Sequence, residues 1–277
     1  MHGGAESGAV TFGYRAGAFL GALAAWGLFE ASWVRLRSLQ VKVPRLPAEL
    51  DGLRIVHLSD FHLGVPSPGA RAVARAVEWT AERKPDLVCI TGDLLTRPRG
   101  EPRLRELVEL LPQPVFAVLG NHDYAVARDP MARASRLREL EPARLLLDEG
   151  ELLSLRGRSV WIAGADPKRS LRRRDPNTLS READLRILLN HFPRAFDRLE
   201  RDRFDLVLAG HMHDGQITIP YPGGKLLLAH PTARYAAGVY RREGSVMHVS
   251  PGLGTTFVPF RFAARPEATE LVLRSPR

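Results

Sequence analysis

The sequence predicts an α/β fold with a parallel sheet in its first half and a second, mixed sheet in its second half. Strand-like apolar runs alternate with segments of helical spacing between residues 53 and 119, a pattern typical of parallel α/β sheets. From Leu145 onward, short apolar runs separated by Gly and Pro follow one another, which indicates a mixed sheet. Five of the runs end in His, Asp or Asn, so polar side chains are expected where these strands end.

The N-terminal segment is predicted to be a hydrophobic anchor helix. Residues 16–29 carry no charge and are rich in Ala, Gly, Leu and Phe. A membrane-spanning helix needs about 20 residues, and extension of the run back to Ala9 includes Arg15. A buried soluble helix and a signal peptide remain alternatives, although no Ala-x-Ala-like cleavage site stands out. Because Trp26 and Trp33 suit a membrane interface, we expect an uncleaved anchor.

The basic residues around this segment predict its orientation. Arg15 alone precedes it, and four basic residues follow it, namely Arg35, Arg37, Lys42 and Arg45. The positive-inside rule then places the C-terminal part in the cytoplasm, with export as the alternative. We assign residues 1–45 to the anchor and a linker that contains Pro44, and residues 46–277 to one globular domain.

Helical spacing between the strands predicts the covering helices. The expected helices span residues 68–83, 101–111, 131–140 and 193–201, since apolar residues recur there at intervals of three and four. The single cysteine, Cys89, lies within a predicted strand and is interpreted as a small buried apolar residue.

The side chains that follow the five strands form the candidate site. In open α/β sheets, ligands bind just outside the carboxyl ends of the strands, so these side chains are expected to converge. They are Asp60, His62, Asp93, Asn121, His191, His211 and His213. All offer oxygen or imidazole nitrogen and none offers a thiolate, which suits Mn, Fe, Zn or Ni rather than Cu(I) or an iron–sulfur cluster. Seven ligands are too many for one tetrahedral site and match two metals that share a carboxylate.

The order of these motifs resembles that of the calcineurin-like metallophosphoesterases. Asp-x-His, Gly-Asp, Gly-Asn-His-Asp, His and Gly-His-x-His follow one another between about residue 50 and the C-terminus. The resemblance implies a four-layer αββα sandwich of two mixed β-sheets flanked by helices. The N-terminal segment and the stretch 210–220 also resemble the membrane-associated YkuE/YaeI-like bacterial branch, which implies attachment to a bacterial inner membrane. Met212 and Asp214 depart from that branch, and neither is a ligand position.

The resemblance also gives each motif residue a role. It implies that a first metal is held by Asp60, His62, Asp93 and His213. It implies a second metal that shares Asp93 with the first and is completed by Asn121, His191 and His211. His122 would ligate neither metal and would act on the leaving group of the substrate, and Asp123 would orient His122.

This ligand set predicts a dinuclear metal-dependent phosphoester hydrolase, most simply a membrane-associated phosphodiesterase. Two cations about 3.5–4 Å apart lower the pKa of a bridging water, and the resulting hydroxide attacks phosphorus in line. The metals are Mn, Fe or Zn, which the sequence does not distinguish. The alternatives are a UDP-2,3-diacylglucosamine-type lipid pyrophosphatase, a protein phosphatase and a non-catalytic scaffold. The last is disfavoured because His122 and all seven ligands are present.

The net charge of +9 suggests an anionic partner. The densest basic cluster is Lys168–Arg174, within which Arg172, Arg173 and Arg174 are candidate substrate-binding residues. A solvated loop and a membrane-surface loop are the other interpretations of this cluster. No aromatic residues are interleaved with the arginines, so nucleic-acid binding is not expected. The expected partners are a phosphoester substrate, lipid- or nucleotide-linked, and the membrane, with no obligate protein partner.

Overall fold

The computed structural model describes residues 4–172 and 174–276. In chain order, its helices and strands are α1 (Gly4–Ser32), β1 (Arg35–Lys42), β2 (Arg54–Leu58), α2 (Gly69–Arg83), β3 (Leu87–Thr91), α3 (Glu101–Glu109), β4 (Val115–Val118), β5 (Arg144–Leu145), β6 (Glu149–Leu155), β7 (Arg158–Ala165), α4 (Pro167–Leu171), β8 (Leu185–Asn190), β9 (Leu206–Ala209), β10 (Thr218–Tyr221), β11 (Gly224–Leu227), β12 (Gly238–Arg242), β13 (Ser245–Val249) and β14 (Glu267–Arg274).

Most of these strands form two six-stranded mixed sheets. The first has the order β1-β14-β2-β3-β4-β5, and the second has the order β12-β13-β9-β8-β7-β6. Neighbours from β2 to β5 are parallel, as predicted for the first half of the chain, and β14 is antiparallel to β2. In the second sheet β7, β8, β9 and β13 are parallel, with antiparallel strands at both edges. The prediction of an α/β fold with two mixed sheets is therefore confirmed.

Apolar side chains pack in three layers around the two sheets. Helices α2 and α3 cover the outer face of the first sheet through residues such as Val73 and Leu107. A second cluster fills the space between the sheets and includes Cys89 and Phe116. The outer face of the second sheet is covered by Phe196 and its neighbours, which lie in 3-10 turns and loops. The outer layer on that side is thus thinner than the resemblance implies.

Two predicted helices differ in the structure. Residues 193–201 form a 3-10 helix, Pro193–Arg198, rather than an α-helix. The predicted helix over residues 131–140 is wrong, since that segment contains no helix. Its backbone instead bonds to neighbouring loops: the amide of Arg133 donates to the Thr96 carbonyl at 2.8 Å, and that of Ser135 donates to the Asp123 carbonyl at 2.8 Å. Tertiary hydrogen bonds thereby replace the helical ones.

The N-terminal segment is helical, as predicted, but the expected membrane-spanning anchor is not supported. Among the described residues, no helix combines the length and the apolarity that a membrane crossing requires. Directly after α1, strand β1 pairs in parallel with β14 along its full length. The predicted boundary after residue 45 therefore separates β1 from the sheet to which it belongs.

The burial of Cys89 leads to a testable expectation. This thiol lies in the apolar layer between the sheets, and burial raises its pKa to about 12. Because the thiolate is the reactive form, we expect no modification of the native protein by a thiol reagent, and one modified cysteine per chain in denaturant. Stoichiometric labelling of the native protein would contradict this packing.

Candidate metal centre

The predicted ligands lie on loops that leave the carboxyl ends of β2, β3, β4, β8 and β9. Five of the seven have a left-handed backbone, with φ between 48° and 72°, namely Asp60, His62, Asp93, His211 and His213. Residues other than Gly seldom adopt this conformation, and it concentrates at functional sites. The loops also approach closely, since a Cβ on Gly120 would lie 2.0 Å from Asp93 Oδ1. The backbone conformation of these turns therefore directs the polar side chains toward one point.

The first group of ligands consists of four buried side chains whose donor atoms all lie within 4.8 Å of one another, namely Asp60, His62, Asp93 and His213. His62 Nε2 lies 3.0 Å from His213 Nε2 and 3.6 Å from Asp93 Oδ2. His213 Nε2 lies 3.4 Å from Asp60 Oδ1. These four residues are the ones that sequence reasoning assigned to the first metal.

The second group consists of Asp93, His191 and His211, with Asn121 beside them. His191 Nε2 lies 3.2 Å from Asp93 Oδ2, 3.0 Å from Asn121 Oδ1 and 3.2 Å from His211 Nδ1. Asp93 belongs to both groups. The structure therefore brings all seven predicted ligands together and places the predicted bridging carboxylate between the two groups.

This arrangement fits two metal ions. A single hydrogen on His191 Nε2 cannot serve two oxygens and a nitrogen at these distances, whereas a cation among them interacts favourably with every donor. In His191 and His62, the second ring nitrogen, Nδ1, contacts a residue outside the ligand set. His191 Nδ1 donates to the Thr91 carbonyl at 2.8 Å, and His62 Nδ1 lies 3.1 Å from Thr96 Oγ1. Such outer contacts fix the ring orientation and leave Nε2 for a metal.

Burial and neighbouring charges favour the protonation states that metals require at Asp60, Asp93, His62 and His211, but not at His191. Burial raises the pKa of Asp60 and of Asp93, but the surrounding histidines outweigh it and hold both pKa values below the usual range. Burial lowers the pKa of His62 well below its usual range and that of His211 to about 3. Burial lowers the pKa of His191 too, but Asp93 raises it to about 9 overall. Carboxylate and neutral imidazole are the ligand forms, so a metal at the second group must displace one proton from His191.

His122 lies over the first group without belonging to either. Its ring packs edge-on against the His62 ring, with centroids 4.5 Å apart, and its amide donates to Asp93 Oδ1 at 2.8 Å. His122 Nε2 lies 3.4 Å from Thr256 Oγ1. His122 Nδ1 is buried without a hydrogen-bond partner among the described residues, and the nearest carboxylate oxygen to it is Asp129 Oδ2, at 3.9 Å. His122 is therefore free to act on a bound substrate.

Asp123 lies against backbone rather than against the His122 ring. Its carboxylate accepts hydrogen bonds from the amides of Leu94, Leu95 and Gly120 at 2.8–3.2 Å. Burial and the nearby Asp93 raise the pKa of Asp123 to about 7 despite these bonds. This carboxylate joins the loop after β3 to the loop after β4, and thus helps to fix the ligands on these loops, Asp93 and Asn121.

The acidic residue that faces the His122 ring is Asp129, which sequence reasoning missed. Asp129 Oδ2 accepts from Thr256 Oγ1 at 3.0 Å and from the Phe257 amide at 3.1 Å. Arg261 was also missed: it is fully buried, and its Nη2 lies 3.2 Å from His213 Nδ1. No motif signals either residue: Asp129 lies beyond the end of the Gly-Asn-His-Asp motif on the same loop after β4, and Arg261 lies on the loop between β13 and β14.

The arginine cluster, Lys168–Arg174, begins within the short helix α4. Arg172 and Arg174 are exposed, and within the described part of the chain neither side chain contacts the seven ligands. Arg173 lies outside the described residues. A role for these three arginines in substrate binding stays a prediction.

Two carboxylate–histidine clusters that share one aspartate, with a histidine beside them that joins neither, are a ligand arrangement expected of a metal-dependent hydrolase. A family model described as calcineurin-like phosphoesterase matches residues 53–215. The chain belongs to this family, and its order of motifs follows the bacterial branch predicted from the sequence.

Three relatives illustrate the similarity. The uncharacterized metallophosphoesterase YkuE of Bacillus subtilis is 30% identical over 85% of this chain and 84% of its own length. A transmembrane protein with metallophosphoesterase domain of Danio rerio is 33% identical over 91% of this chain, which spans 60% of that protein. The UDP-2,3-diacylglucosamine pyrophosphatase LpxG of Chlamydia trachomatis is 28% identical over 86% of this chain and 88% of its own length.

Proposed function

We propose that this protein is a dinuclear metal-dependent phosphodiesterase. The proposal rests on one observation: Asp93 belongs to both ligand groups, and the His122 ring lies beside them without belonging to either group. Asp60, His62, Asp93 and His213 would hold one cation, and Asp93, Asn121, His191 and His211 the other. Two divalent cations bound there would supply Lewis acidity toward the phosphoryl oxygens and an activated water.

His122 supplies the proton for the leaving oxygen. The Asp129 carboxylate lies on the Nδ1 side of the ring, so a hydrogen on Nδ1 faces that carboxylate and Nε2 faces outward toward Thr256. In the imidazolium form the ring carries a second hydrogen on Nε2; its transfer to the leaving oxygen as the ester bond breaks would leave a neutral ring with its hydrogen on Nδ1, and a positioned acid contributes about 10²–10⁴-fold. Thr256 helps to set the position of the ring.

A diester is favoured because the site has room for a second substituent on phosphorus. A cavity of about 730 Å³ opens beside His211 and Phe192, and cavities of roughly this size hold drug-sized ligands. A phosphodiester could place one of its two organic groups in this cavity. A lipid pyrophosphatase is the second candidate, since LpxG has that activity in its name and such a substrate also carries two substituents on the attacked phosphorus.

The test compares bis(p-nitrophenyl) phosphate, p-nitrophenyl phosphate and a phosphoserine peptide as substrates of the Mn²⁺-loaded protein. The proposal predicts that kcat/KM for the diester exceeds that for both monoesters. A preference for the phosphopeptide would favour a protein phosphatase. The absence of turnover on every phosphoester, with both metals bound, would favour a non-catalytic scaffold.

Asp129 is expected to act as a positioning residue for His122. We expect Asp129→Asn to lower kcat about 10-fold, since outer carboxylate partners of site residues are worth about 10–100-fold. The pH dependence of kcat should shift to lower pH, because removal of this negative charge lowers the pKa of the His122 ring. Asp129→Glu should recover part of the rate. An unchanged pH profile in Asp129→Asn would mean that Asp129 only stabilises the loop.

We further propose that α1 rests on a lipid surface. Its exposed side chains are mostly apolar and aromatic, namely Phe19, Leu20, Leu23, Trp26, Leu28 and Phe29, and nothing lies within 4 Å of a Cβ built on Gly17 or Gly21. Trp33 follows α1, and the Arg265 guanidinium stacks 3.6 Å above its ring. Aromatic rings beside arginines suit the interface of a membrane with anionic lipid. The arginines favour lipid over a second copy of this basic chain.

Vesicle binding tests this surface. We expect Trp26→Ala with Phe29→Ala to weaken co-sedimentation with phosphatidylethanolamine–phosphatidylglycerol vesicles more than 10-fold, since burial of one such ring contributes about 1.5–3 kcal/mol. Leu110→Ala, at an equally exposed apolar residue directly after α3, is the control and should change nothing. Equal vesicle binding by the Trp26→Ala, Phe29→Ala variant and by Leu110→Ala would refute the lipid surface. A dimer that forms without lipid and that Trp26→Ala dissociates would also refute it.

A further inference from the structure

The apolar layer between the two sheets contains four fully buried polar side chains that no ligand motif includes. They are Ser59, Thr91, His57 and His248. Side chains two positions apart on a strand share a face, and Ile55, Cys89 and Val246, which precede three of them by two positions, belong to this layer. We call the four side chains the interlayer network, because hydrogen bonds join them across the layer.

The hydrogen bonds of the interlayer network run in one direction. His57 Nε2 lies 2.8 Å from Thr91 Oγ1, which donates its only hydrogen to Ser59 Oγ at 2.7 Å. Thr91 Oγ1 can therefore only accept from His57, so His57 Nε2 carries a hydrogen. Burial lowers the pKa of His57 well below its usual range, and the neutral ring then has no hydrogen on Nδ1. His248 Nδ1, 2.8 Å away on the second sheet, is the donor to His57 Nδ1.

The network ends at the carbonyl that contacts a metal ligand. Ser59 Oγ donates to the Thr91 carbonyl at 3.3 Å, and His191 Nδ1 donates to the same oxygen at 2.8 Å. The Ser59 hydroxyl also lies against the next ligand loop, since a Cβ on Gly210 would come within 2.0 Å of Ser59 Oγ. Gly210 precedes His211, and its amide donates to the His191 carbonyl at 3.1 Å. The network thus contacts the backbone beside both histidines of the second ligand group.

The opposite end of the network is left unsatisfied. Burial lowers the pKa of His248 to about 3, so the ring is neutral, and with its hydrogen on Nδ1 its Nε2 is a bare acceptor. That atom is buried without a hydrogen-bond partner among residues 4–172 and 174–276. An unsatisfied buried acceptor costs stability, and a pair of apolar side chains of similar shape would avoid this cost. The network therefore stabilises the packing of the sheets poorly, which indicates a role at its other end.

We propose that the interlayer network positions the ligands of the second metal. A carbonyl oxygen has two lone pairs, and Ser59 takes one on the Thr91 carbonyl, which directs His191 Nδ1 to the other. His191 is then oriented with its Nε2 toward Asp93 Oδ2, 3.2 Å away. The members of the network act through His191 and are positioning residues rather than ligands. This inference rests on the metal centre of the proposed function and adds to it residues outside the ligand set.

Thr91→Val tests the network, because it removes the hydroxyl and keeps the shape of the side chain. Mn²⁺ binding to the metal-stripped full-length protein would be measured by calorimetry. We expect one of the two Mn²⁺ affinities to fall about 10–100-fold, as for the loss of an outer partner of a ligand, and the other to stay unchanged. Thr91→Ser keeps the hydroxyl and should bind both ions like the parent. Affinities in Thr91→Val equal to those of the parent would overturn the inference.

Thr80→Val is the matched control. Thr80 is also fully buried, and its hydroxyl donates to the Ala76 carbonyl at 2.7 Å within α2. The substitution makes the same change of a hydroxyl to a methyl group, on a helix that covers the outer face of the first sheet. Both Mn²⁺ affinities should match those of the parent. A loss as large as that in Thr91→Val would show that general destabilisation lowers the affinity, and would refute the inference.

Nuclear magnetic resonance of the histidine rings tests the network independently of catalysis. In the parent protein loaded with diamagnetic Zn²⁺, His57 should carry its hydrogen on Nε2 and His248 on Nδ1. Thr91→Val should shift the His191 Nδ1–H signal, and Thr91→Ser should restore it. The opposite tautomers in the parent, or an unshifted His191 signal, would overturn the inference and leave the phosphodiesterase intact. The expected signals in a protein that hydrolyses no phosphoester would support the network and refute the proposed function.

Discussion

Replacement of Asp93 by Asn is expected to lower kcat/KM for bis(p-nitrophenyl) phosphate by more than about 10³-fold. Loss of an outer partner of a ligand alone costs about 10–100-fold, and Asp93 is a donor in both ligand groups. The amide removes the negative charge that two cations would share. It also removes the carboxylate that holds His191, whose Nε2 lies 3.2 Å from Asp93 Oδ2. Bound metal, measured by atomic emission on the purified protein, should fall from two ions per chain to one or none.

Glu106→Gln is the control for this experiment. It makes the same carboxylate-to-amide change at an exposed residue of α3 that pairs with Arg103, and it should keep both activity and metal. Two metals and wild-type turnover in Asp93→Asn would show that the shared carboxylate is not the bridge.

Replacement of His122 by Ala is expected to lower kcat about 10²–10⁴-fold while two metals remain bound. The reason is that the ring touches the first ligand group without joining it: it packs edge-on against His62, and no ligand atom of His122 belongs to either group. Loss of metal in this variant would mean that His122 is a ligand rather than a proton donor.

The leaving group distinguishes proton donation from simple packing. If His122 protonates the leaving oxygen, the loss in His122→Ala should be larger for an ester of phenol than for one of p-nitrophenol, because the poorer leaving group depends more on the acid. Equal losses for both esters would show that His122 orients the substrate without giving it a proton.

The ligand set was predictable because it depends on local rules. The carboxyl ends of neighbouring parallel strands lie at the same edge of the sheet. Polar residues that directly follow these strands therefore converge at that edge. Residues as far apart as Asp60 and His213 therefore met in the structure as the motifs indicated. The parallel sheet in the first half of the chain was predictable from the alternation of strand-like and helical segments along the sequence.

The remaining features depend on contacts that no local pattern encodes. Asp129 faces His122 only because the loop after β13 brings Thr256 and Phe257 to it. Arg261 is fully buried although its charge predicts a surface position, since four backbone carbonyls accept its hydrogen bonds, namely those of Pro251, Gly254, Ala264 and His213.

The N-terminal region was misjudged for a related reason. Its apolar composition suggested a segment separate from the domain. Its last turns instead pack on the chain next to the site: Glu30 accepts from the Ala264 amide at 2.8 Å, and the Gly27 carbonyl accepts from the Arg261 amide at 3.1 Å. Tertiary packing thus joins α1 and β1 to the domain, which composition alone does not reveal.

The most direct test of the central claim is a metal titration of the stripped protein. Hydrolysis of bis(p-nitrophenyl) phosphate would be followed as Mn²⁺ is added, with bound metal measured on the same samples. The account predicts no turnover without metal and full turnover only as the second ion per chain binds. Full turnover in metal-free protein, or with a single ion bound, would contradict a dinuclear centre.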